Sequence, residues 1–167
     1  MPNKWTFKIP PIAELLARYV GDGKGWVDPF AGMNSPAEFT NDLNPDMPTK
    51  YHLEAIDFCN QLNGNKYNGI LFDPPYSYRQ ITECYKGFGI KAQQEDTQTK
   101  FYTKVMNAIY GKVKSGGHAI SFGWGSNGFG LRRGFEIVEI LLVAHGWHHN
   151  DTIVTVERKI QEGMSLN

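Results

Sequence analysis

Two prolines follow an acidic residue at the end of a short apolar run, and this arrangement is suited to chemistry. The run Ile70–Phe72 predicts a buried strand. Pro74 and Pro75 must end that strand, because neither has a backbone N–H to give to a sheet. Each proline also holds the residue before it in an extended conformation. Asp73 and the Pro74 carbonyl therefore offer two fixed acceptors, beside the ring of Tyr76.

Two fixed acceptors and an aromatic ring fit the planar amino group of a nucleobase. The lone pair of such an amine is delocalised into the ring, so the nitrogen is a poor nucleophile until its hydrogens are held. Asp73 and the Pro74 carbonyl can hold them and stabilise the positive charge that develops on nitrogen during attack on an electrophile. Tyr76 can stack on the base once it has left its helix. The alternative is a Pro-Pro turn in which Asp73 is a local cap.

Two further acids follow predicted strands. The strand Trp26–Val27 leads into Asp28, and Gly32 four residues later permits close approach of the backbone to a ligand. Asp42 follows a second predicted strand at 39–40, where Rossmann-like folds place an acid that binds ribose hydroxyls. The alternative for Asp42 is an Asx-turn. Since open α/β sheets bind ligands beyond their strand ends, we expect the cofactor between the ends of these strands and the strand before Asp73.

These segments resemble the motifs of S-adenosylmethionine-dependent amino-methyltransferases, which act on exocyclic amines of nucleobases. Asp73-Pro74-Pro75-Tyr76 resembles the catalytic motif, and Val27 to Gly32 resembles the cofactor motif. The stretch Phe7-Lys8-Ile9 stands where DNA adenine methyltransferases carry an N-terminal cofactor segment. The motif order is that of the deoxyadenosine methylase type, and the resemblance covers most of residues 5–158. It implies S-adenosylmethionine as cofactor, bound by Phe7, Lys8, Ile9, Asp28, Pro29, Phe30, Ala31, Gly32, Asp42, Leu43 and Asn44.

The implied reaction is methylation of the 6-amino group of adenine in DNA, with the base flipped out of its helix. The 4-amino group of cytosine presents nearly the same chemistry and stays open. A base of RNA is a second alternative, and a degenerate protein that binds cofactor or DNA without catalysis is a third. Glutamine methyltransferases usually have Asn where this chain has Asp73, which counts against that group.

The expected fold is α/β and Rossmann-like, of the class I methyltransferase type, with residues 1–167 as a single domain. We predict a mixed sheet of about seven strands whose last two, 135–144 and 151–158, form an antiparallel hairpin. The first crossover helix is predicted to be reduced, because Gly32 to Asp42 leaves room for barely one helical turn. Ser35-Pro36-Ala37-Glu38 nevertheless has the pattern of a capping box. Further helix boundaries are predicted at Thr49, as an N-cap, and at Ser115–Gly117, as a terminator.

Substrate contacts are predicted in two loops. The long connection 77–98 contains Tyr78 and Arg79, and aromatic residues interleaved with basic ones suit an unstacked nucleotide. The glycine-rich stretch 123–128 contains Trp124 and follows a strand on the catalytic rim. No insert is large enough for a separate target-recognition domain, so sequence specificity is expected from these loops or from a partner.

Composition limits the remaining possibilities. Seventeen basic and seventeen acidic residues give a net charge of zero, so the affinity for duplex phosphates is expected to be modest. Two cysteines, Cys59 and Cys84, form neither a metal motif nor a disulfide framework. The histidines of the hairpin turn lack a complete ligand set, so no metal is predicted. Without a signal peptide or membrane span, the chain is expected in the cytoplasm. The resemblance implies a bacterial host and a phage or mobile-element enzyme. The sequence makes no prediction of oligomeric state.

Overall fold

The computed structural model describes residues 5–75, 98–146 and 150–160. Tyr76, Tyr78 and Arg79 lie outside these ranges. The helices are α1 (Pro10–Tyr19), α2 (Ala55–Gln61) and α3 (Gln98–Ile109), with short 3-10 turns at Thr6–Lys8, Tyr110–Lys112 and Leu131–Arg133. The strands are β1 (Trp26–Asp28), β2 (Phe39–Thr40), β3 (Tyr67–Phe72), β4 (Val113–Gly123), β5 (Phe135–Val143) and β6 (Thr152–Lys159).

The described strands form one mixed sheet in the order β2-β1-β3-β4-β6-β5. The first four strands of that order are parallel, and β6 runs antiparallel between β4 and β5. The α/β class and the C-terminal hairpin are therefore confirmed. The described residues contain six strands where about seven were expected.

Helices cover both faces of the sheet, and successive residues of the strands point to opposite layers. On one face, α1 packs through Ile12, Leu15 and Leu16 against a cluster that includes Leu71 and Ile120. On the other face, α2 and α3 pack against a second cluster that includes Ile70 and Ala119. The burial of β3 on both faces explains why its sequence is apolar without alternation.

The connection between β1 and β2 contains no helix in residues 29–38, all of which are described. The predicted reduction of the first crossover helix is thus confirmed. The expected helix start at Ser35 is wrong, because its hydroxyl donates to Asp28 and the Glu38 carboxylate accepts from the Gly25 amide at 2.7 Å. The chain turns back so closely that a Cβ on Gly23, where φ is +78°, would lie 1.9 Å from the Pro36 carbonyl oxygen.

Two other predicted helix boundaries are wrong. The N-cap of α2 is Glu54, whose carboxylate accepts from the Ile56 amide at 2.8 Å, whereas the Thr49 hydroxyl donates to the Tyr51 carbonyl. Residues Ser115–Gly117 do not terminate a helix but belong to β4, beside an irregularity in its pairing with β3. No helix in the described ranges has both the length and the apolar character needed to cross a bilayer.

Candidate active site

The carboxyl ends of β1, β2 and β3 bring three aspartates to one rim of the sheet. Asp28 is the last residue of β1, Asp42 follows β2 by two residues, and Asp73 follows β3 directly. The negative charges of Asp73 and Asp42 both contribute to raising the pKa of Asp28, behind the larger effect of burial. The structure thus brings together the three acids that the sequence singled out.

Asp28 is completely buried and acts as the centre of the β1 turn. Its Oδ1 accepts from the Phe30 amide at 2.9 Å, and its Oδ2 accepts from the Ser35 hydroxyl at 2.6 Å. Burial raises the pKa of Asp28 from 3.8 to about 7, although both hydrogen bonds act to lower it. Near neutral pH, this carboxyl group is therefore divided between its charged and neutral forms.

Asp42 connects the two turns. Its Oδ2 accepts from the Gly32 amide at 3.0 Å, and its Oδ1 accepts from the Asn44 amide at 2.8 Å, which is an Asx-turn. Each oxygen keeps a second lone pair, so these bonds leave Asp42 able to accept from a ribose hydroxyl. Gly32 has φ +54°, and a Cβ there would meet no atom within 4 Å, so open space adjoins the turn.

The other residues of the predicted cofactor motif are mostly structural. Pro29 and Ala31 are buried, and the ring of Phe30 packs edge-on against Phe72 with centroids 5.6 Å apart. Asn41, which the sequence did not single out, is buried and donates its amide to the Pro29 carbonyl at 3.2 Å. The same side chain bonds the Leu53 backbone in both directions. Asn41 therefore fixes the cofactor turn to the segment before α2.

Helix α3 contacts the catalytic segment through a hydrogen bond. Asp73 and Pro74 are buried, and Pro75 is half-buried. The Tyr102 hydroxyl donates to the Pro75 carbonyl, and the Tyr102 ring packs edge-on against Phe72 with centroids 6.1 Å apart. Tyr102 thus connects the strand end to the helix that covers it. The predicted stacking residue Tyr76 lies outside the described residues.

The N-terminal segment packs on the opposite face of the sheet, the one that α1 covers. Phe7 is buried, and its ring lies edge-on to Phe122, near the end of β4, with centroids 5.4 Å apart. Lys8 is exposed, with its ammonium 5.8 Å from the centroid of the Trp5 ring. Ile9 is half-buried and precedes α1. Phe7 therefore packs on the strand that neighbours the catalytic one.

The remaining predicted contacts lie on either side of this centre. Leu43 and Asn44 are half-buried, and the Asn44 side chain accepts from the Asp46 amide at 2.9 Å. Trp124 follows β4 and is 48% exposed, on the rim that Asp73 shares. Within the described ranges, no group of three or more His, Cys, Asp or Glu side chains is placed to hold a metal ion.

No protein-family model and no curated protein sequence matches this chain. Solved structures do match it. TrmN from Thermus thermophilus aligns with a TM-score of 0.58 and 15% identity, covering 90% of this chain and 49% of that one. A candidate methyltransferase, YhhF from Escherichia coli, aligns with a TM-score of 0.55 and 12% identity, covering 95% and 89%.

A third structure, from Listeria monocytogenes, is described as a candidate class I S-adenosylmethionine-dependent methyltransferase. It aligns with a TM-score of 0.53 and 14% identity, covering 91% of this chain and 59% of that one. The chain has the fold of class I methyltransferases. It spans about half the length of TrmN and about three-fifths of the Listeria protein. The cofactor named for the Listeria protein agrees with the cofactor expected from the motifs of this sequence.

Proposed function

We propose that this protein transfers a methyl group from S-adenosylmethionine to the exocyclic 6-amino group of adenine in DNA. The observation that carries the proposal is the buried Asp73-Pro74-Pro75 segment at the end of β3, beside two other carboxylates on the rim of a methyltransferase fold. A segment of this kind supplies an acceptor pair for an amine, and the fold supplies a place for the methyl donor.

The residues of the rim suit a positively charged cofactor. Asp42 and Asp73, with the charged fraction of Asp28, make the potential at the strand ends negative, which favours a sulfonium cation over a neutral ligand. Asp42 is placed to accept from the ribose, and the open space beside Gly32 allows close approach of the ligand to the backbone. Bound there, S-adenosylmethionine supplies an electrophilic methyl group.

In the proposed reaction, Asp73 and the Pro74 carbonyl each accept one hydrogen of the target amine. The amine nitrogen forms the new bond to the methyl carbon while the carbon–sulfur bond breaks, and the electron pair of that bond remains on sulfur. The nitrogen becomes positively charged and then releases one proton to the Asp73 carboxylate, which passes it to water. Because charge develops only as the bond forms, the Asp73 carboxylate stabilises the transition state more than the bound substrate.

The decisive experiment is single-turnover methylation by wild type and by Asp73→Asn, with a labelled methyl group. The asparagine keeps the size but removes the charge, so we expect a loss on the order of 100-fold in transfer rate. The affinity for the cofactor should fall much less, because Asp42 still contributes negative charge at the rim. The matched control is Asp46→Asn, which changes an exposed acid in the turn after Asp42. Near-normal transfer by Asp73→Asn would contradict the mechanism.

The choice of substrate separates the alternatives. Three substrates should be compared in the same assay. They are DNA oligonucleotides that contain adenine, DNA oligonucleotides that contain cytosine but no adenine, and RNA. Transfer chiefly to adenine in DNA supports the proposal, and preference for either of the others replaces it with that substrate. Cofactor binding by calorimetry without transfer to any nucleic acid would show that the proposed reaction is wrong.

A further inference from the structure

A second concave site lies on the rim that carries Asp73. It is a cleft of about 340 Å³, a size in the range of ligand pockets. Its lining residues come from the end of β4 and from both strands of the C-terminal hairpin: Trp124, Leu142, Asn150, Asp151 and Ile153. Trp124 and Leu142 are 48% and 62% exposed, so the cleft presents a large aromatic surface and an aliphatic one to solvent.

The sheet register places this cleft next to the catalytic segment. Phe72, the residue before Asp73, pairs with Ser121 of β4, and Gly123 pairs with Ile153 of β6. Neighbouring strands are separated by about 5 Å, and Trp124 is the residue that follows β4. The cleft therefore begins on the strand next to the one that carries Asp73. A nucleotide adjoining the target nucleotide could reach it.

The chemistry of the lining selects a planar ring with a polar edge. The indole of Trp124 offers a stacking surface, and Leu142 and Ile153 contribute an apolar wall. The Asp151 carboxylate supplies a negatively charged acceptor, and the Asn150 amide supplies a donor and a second acceptor. Asp151 Oδ1 accepts from the His145 amide at 3.2 Å, which leaves Oδ2 for an amino group of a ligand. A nucleobase has both properties, a stackable face and a hydrogen-bonding edge.

The loop that begins at Trp124 is anchored at its other end, residues 128–130, by a buried acid. Glu157 of β6 is completely buried, and it accepts from the Phe129 amide at 2.6 Å and the Gly130 amide at 2.8 Å. A Cβ on Gly128 would lie 2.0 Å from the same carboxylate, so the backbone there is tied closely to β6. Fixing one end of the loop reduces the entropic cost of ordering it when a ligand binds.

We propose that this cleft binds an unstacked base that flanks the methylated base, and that the preferred substrate is therefore single-stranded nucleic acid. The inference rests on the proposed function. In a duplex, the flanking base is paired and stacked, so its entry into the cleft adds an unstacking cost to that of flipping the target. A single strand does not carry that cost.

The test measures binding, so it does not depend on methyl transfer. A fluorescein-labelled oligodeoxynucleotide of about eight adenines, as a single strand and as a duplex with its complement, is titrated with the full chain in an anisotropy assay. We expect tighter binding of the single strand. Trp124→Ala should weaken that binding by roughly 5- to 100-fold, the range that base–aromatic stacking gives for an alanine substitution, and Trp124→Phe should restore most of it.

Two controls sharpen the result. Ile137→Ala removes an exposed side chain of the same hairpin outside the cleft and should leave binding unchanged. Asp151→Asn keeps the size of the side chain and changes its hydrogen-bonding pattern, so it should change the preference among adenine, cytosine and thymine homopolymers. Equal binding by Trp124→Ala and wild type, or tighter binding of the duplex, would overturn the inference.

The outcomes also separate this inference from the proposed function. Methylation of adenine in DNA with no effect of Trp124→Ala on binding or on KM would retain the reaction and reject the cleft. Trp124-dependent binding of the single strand without methyl transfer to any substrate would retain the cleft and reject the reaction.

Discussion

The parallel half of the sheet and its antiparallel half each bury a carboxylate, but the two carboxylates have different surroundings. In the parallel half, Asp28 bonds the Phe30 amide and the Ser35 hydroxyl, with two more aspartates nearby. In the antiparallel half, burial raises the pKa of Glu157, against the lowering effects of its bonds to two successive backbone amides and of the nearby charge of Arg133. One half concentrates negative charge at a candidate reaction centre, and the other uses a single negative charge to fix a loop. A buried acid is thus evidence of function only in light of its neighbours.

The largest expected effect concerns Asp28. Because its pKa in the folded state is about 7, above the ordinary 3.8, the folded protein binds more protons in that interval, and the free energy of unfolding should fall as pH rises from about 4 to about 7. The fall is on the order of 4 kcal/mol, since one pKa unit corresponds to about 1.36 kcal/mol. Asp28→Asn should remove it, as measured by urea unfolding across this pH range.

The burial of His118 lowers its pKa, so His118 makes the free energy of unfolding rise with pH. This contribution is the same in wild type and in Asp28→Asn, and it cancels when the two profiles are subtracted. If the free energy of unfolding depends on pH in the same way for both proteins, Asp28 does not titrate in this interval. The proposed difference between Asp28 and Glu157 would then be wrong.

A smaller effect is expected from Glu157→Gln. The amide keeps one acceptor oxygen but turns an NH2 group toward a backbone N–H, so one buried donor loses its partner. The cost should be about 1–3 kcal/mol in the free energy of unfolding. Glu136→Gln is the matched control, because it removes an exposed ion pair with Arg158 on the neighbouring strand and should cost less than about 1 kcal/mol. Equal losses in the free energy of unfolding for the two variants would mean that Glu157 stabilises the fold no more than an exposed ion pair does.

The smallest expected effect on stability, about 1 kcal/mol, is that of Tyr102→Phe. The phenylalanine keeps the ring contact with Phe72 and loses only the hydrogen bond to the Pro75 carbonyl. If that bond positions the catalytic segment, kcat should fall about 10-fold, as misplacement of a reacting group costs rate, while the affinity for the cofactor is unchanged.

Tyr110→Phe, in the 3-10 turn that directly follows α3, controls for the loss of a tyrosine hydroxyl. A stability loss in Tyr102→Phe without a change in kcat would leave Tyr102 a structural residue of the core.

The fold was predicted best where local pattern and tertiary packing agree. The hairpin strands β5 and β6 lie within one residue of their predicted ends. The prediction failed at Ser35, where the capping-box pattern is overruled by hydrogen bonds that reach Asp28 and Gly25. It failed again at Thr49, because residue Tyr51 instead forms a bridge with Asn41 beside β2.

The candidate site shows the same division. The convergence of Asp28, Asp42 and Asp73 follows from the rule that parallel strands end at one edge, so the sequence was sufficient. The roles of Tyr102 and Glu157 were missed because their hydrogen-bond partners are distant in sequence. Tyr102 bonds a backbone atom 27 residues away, and Glu157 bonds one 28 residues away. The alternation of β6 even assigns Glu157 to a solvent-facing position, and only the tertiary structure shows that this face is covered.

The short link between β1 and β2 has a consequence for how the chain reaches this structure. Val27 and Phe39 pair although only twelve positions separate them, whereas parallel strands are usually joined by a longer crossover. The entropy lost on closing a loop grows with the logarithm of its length, and each doubling adds about 0.6 kcal/mol. The first two strands, and with them two of the three aspartates, can therefore meet through a nearly local contact before the distant Asp73 joins them.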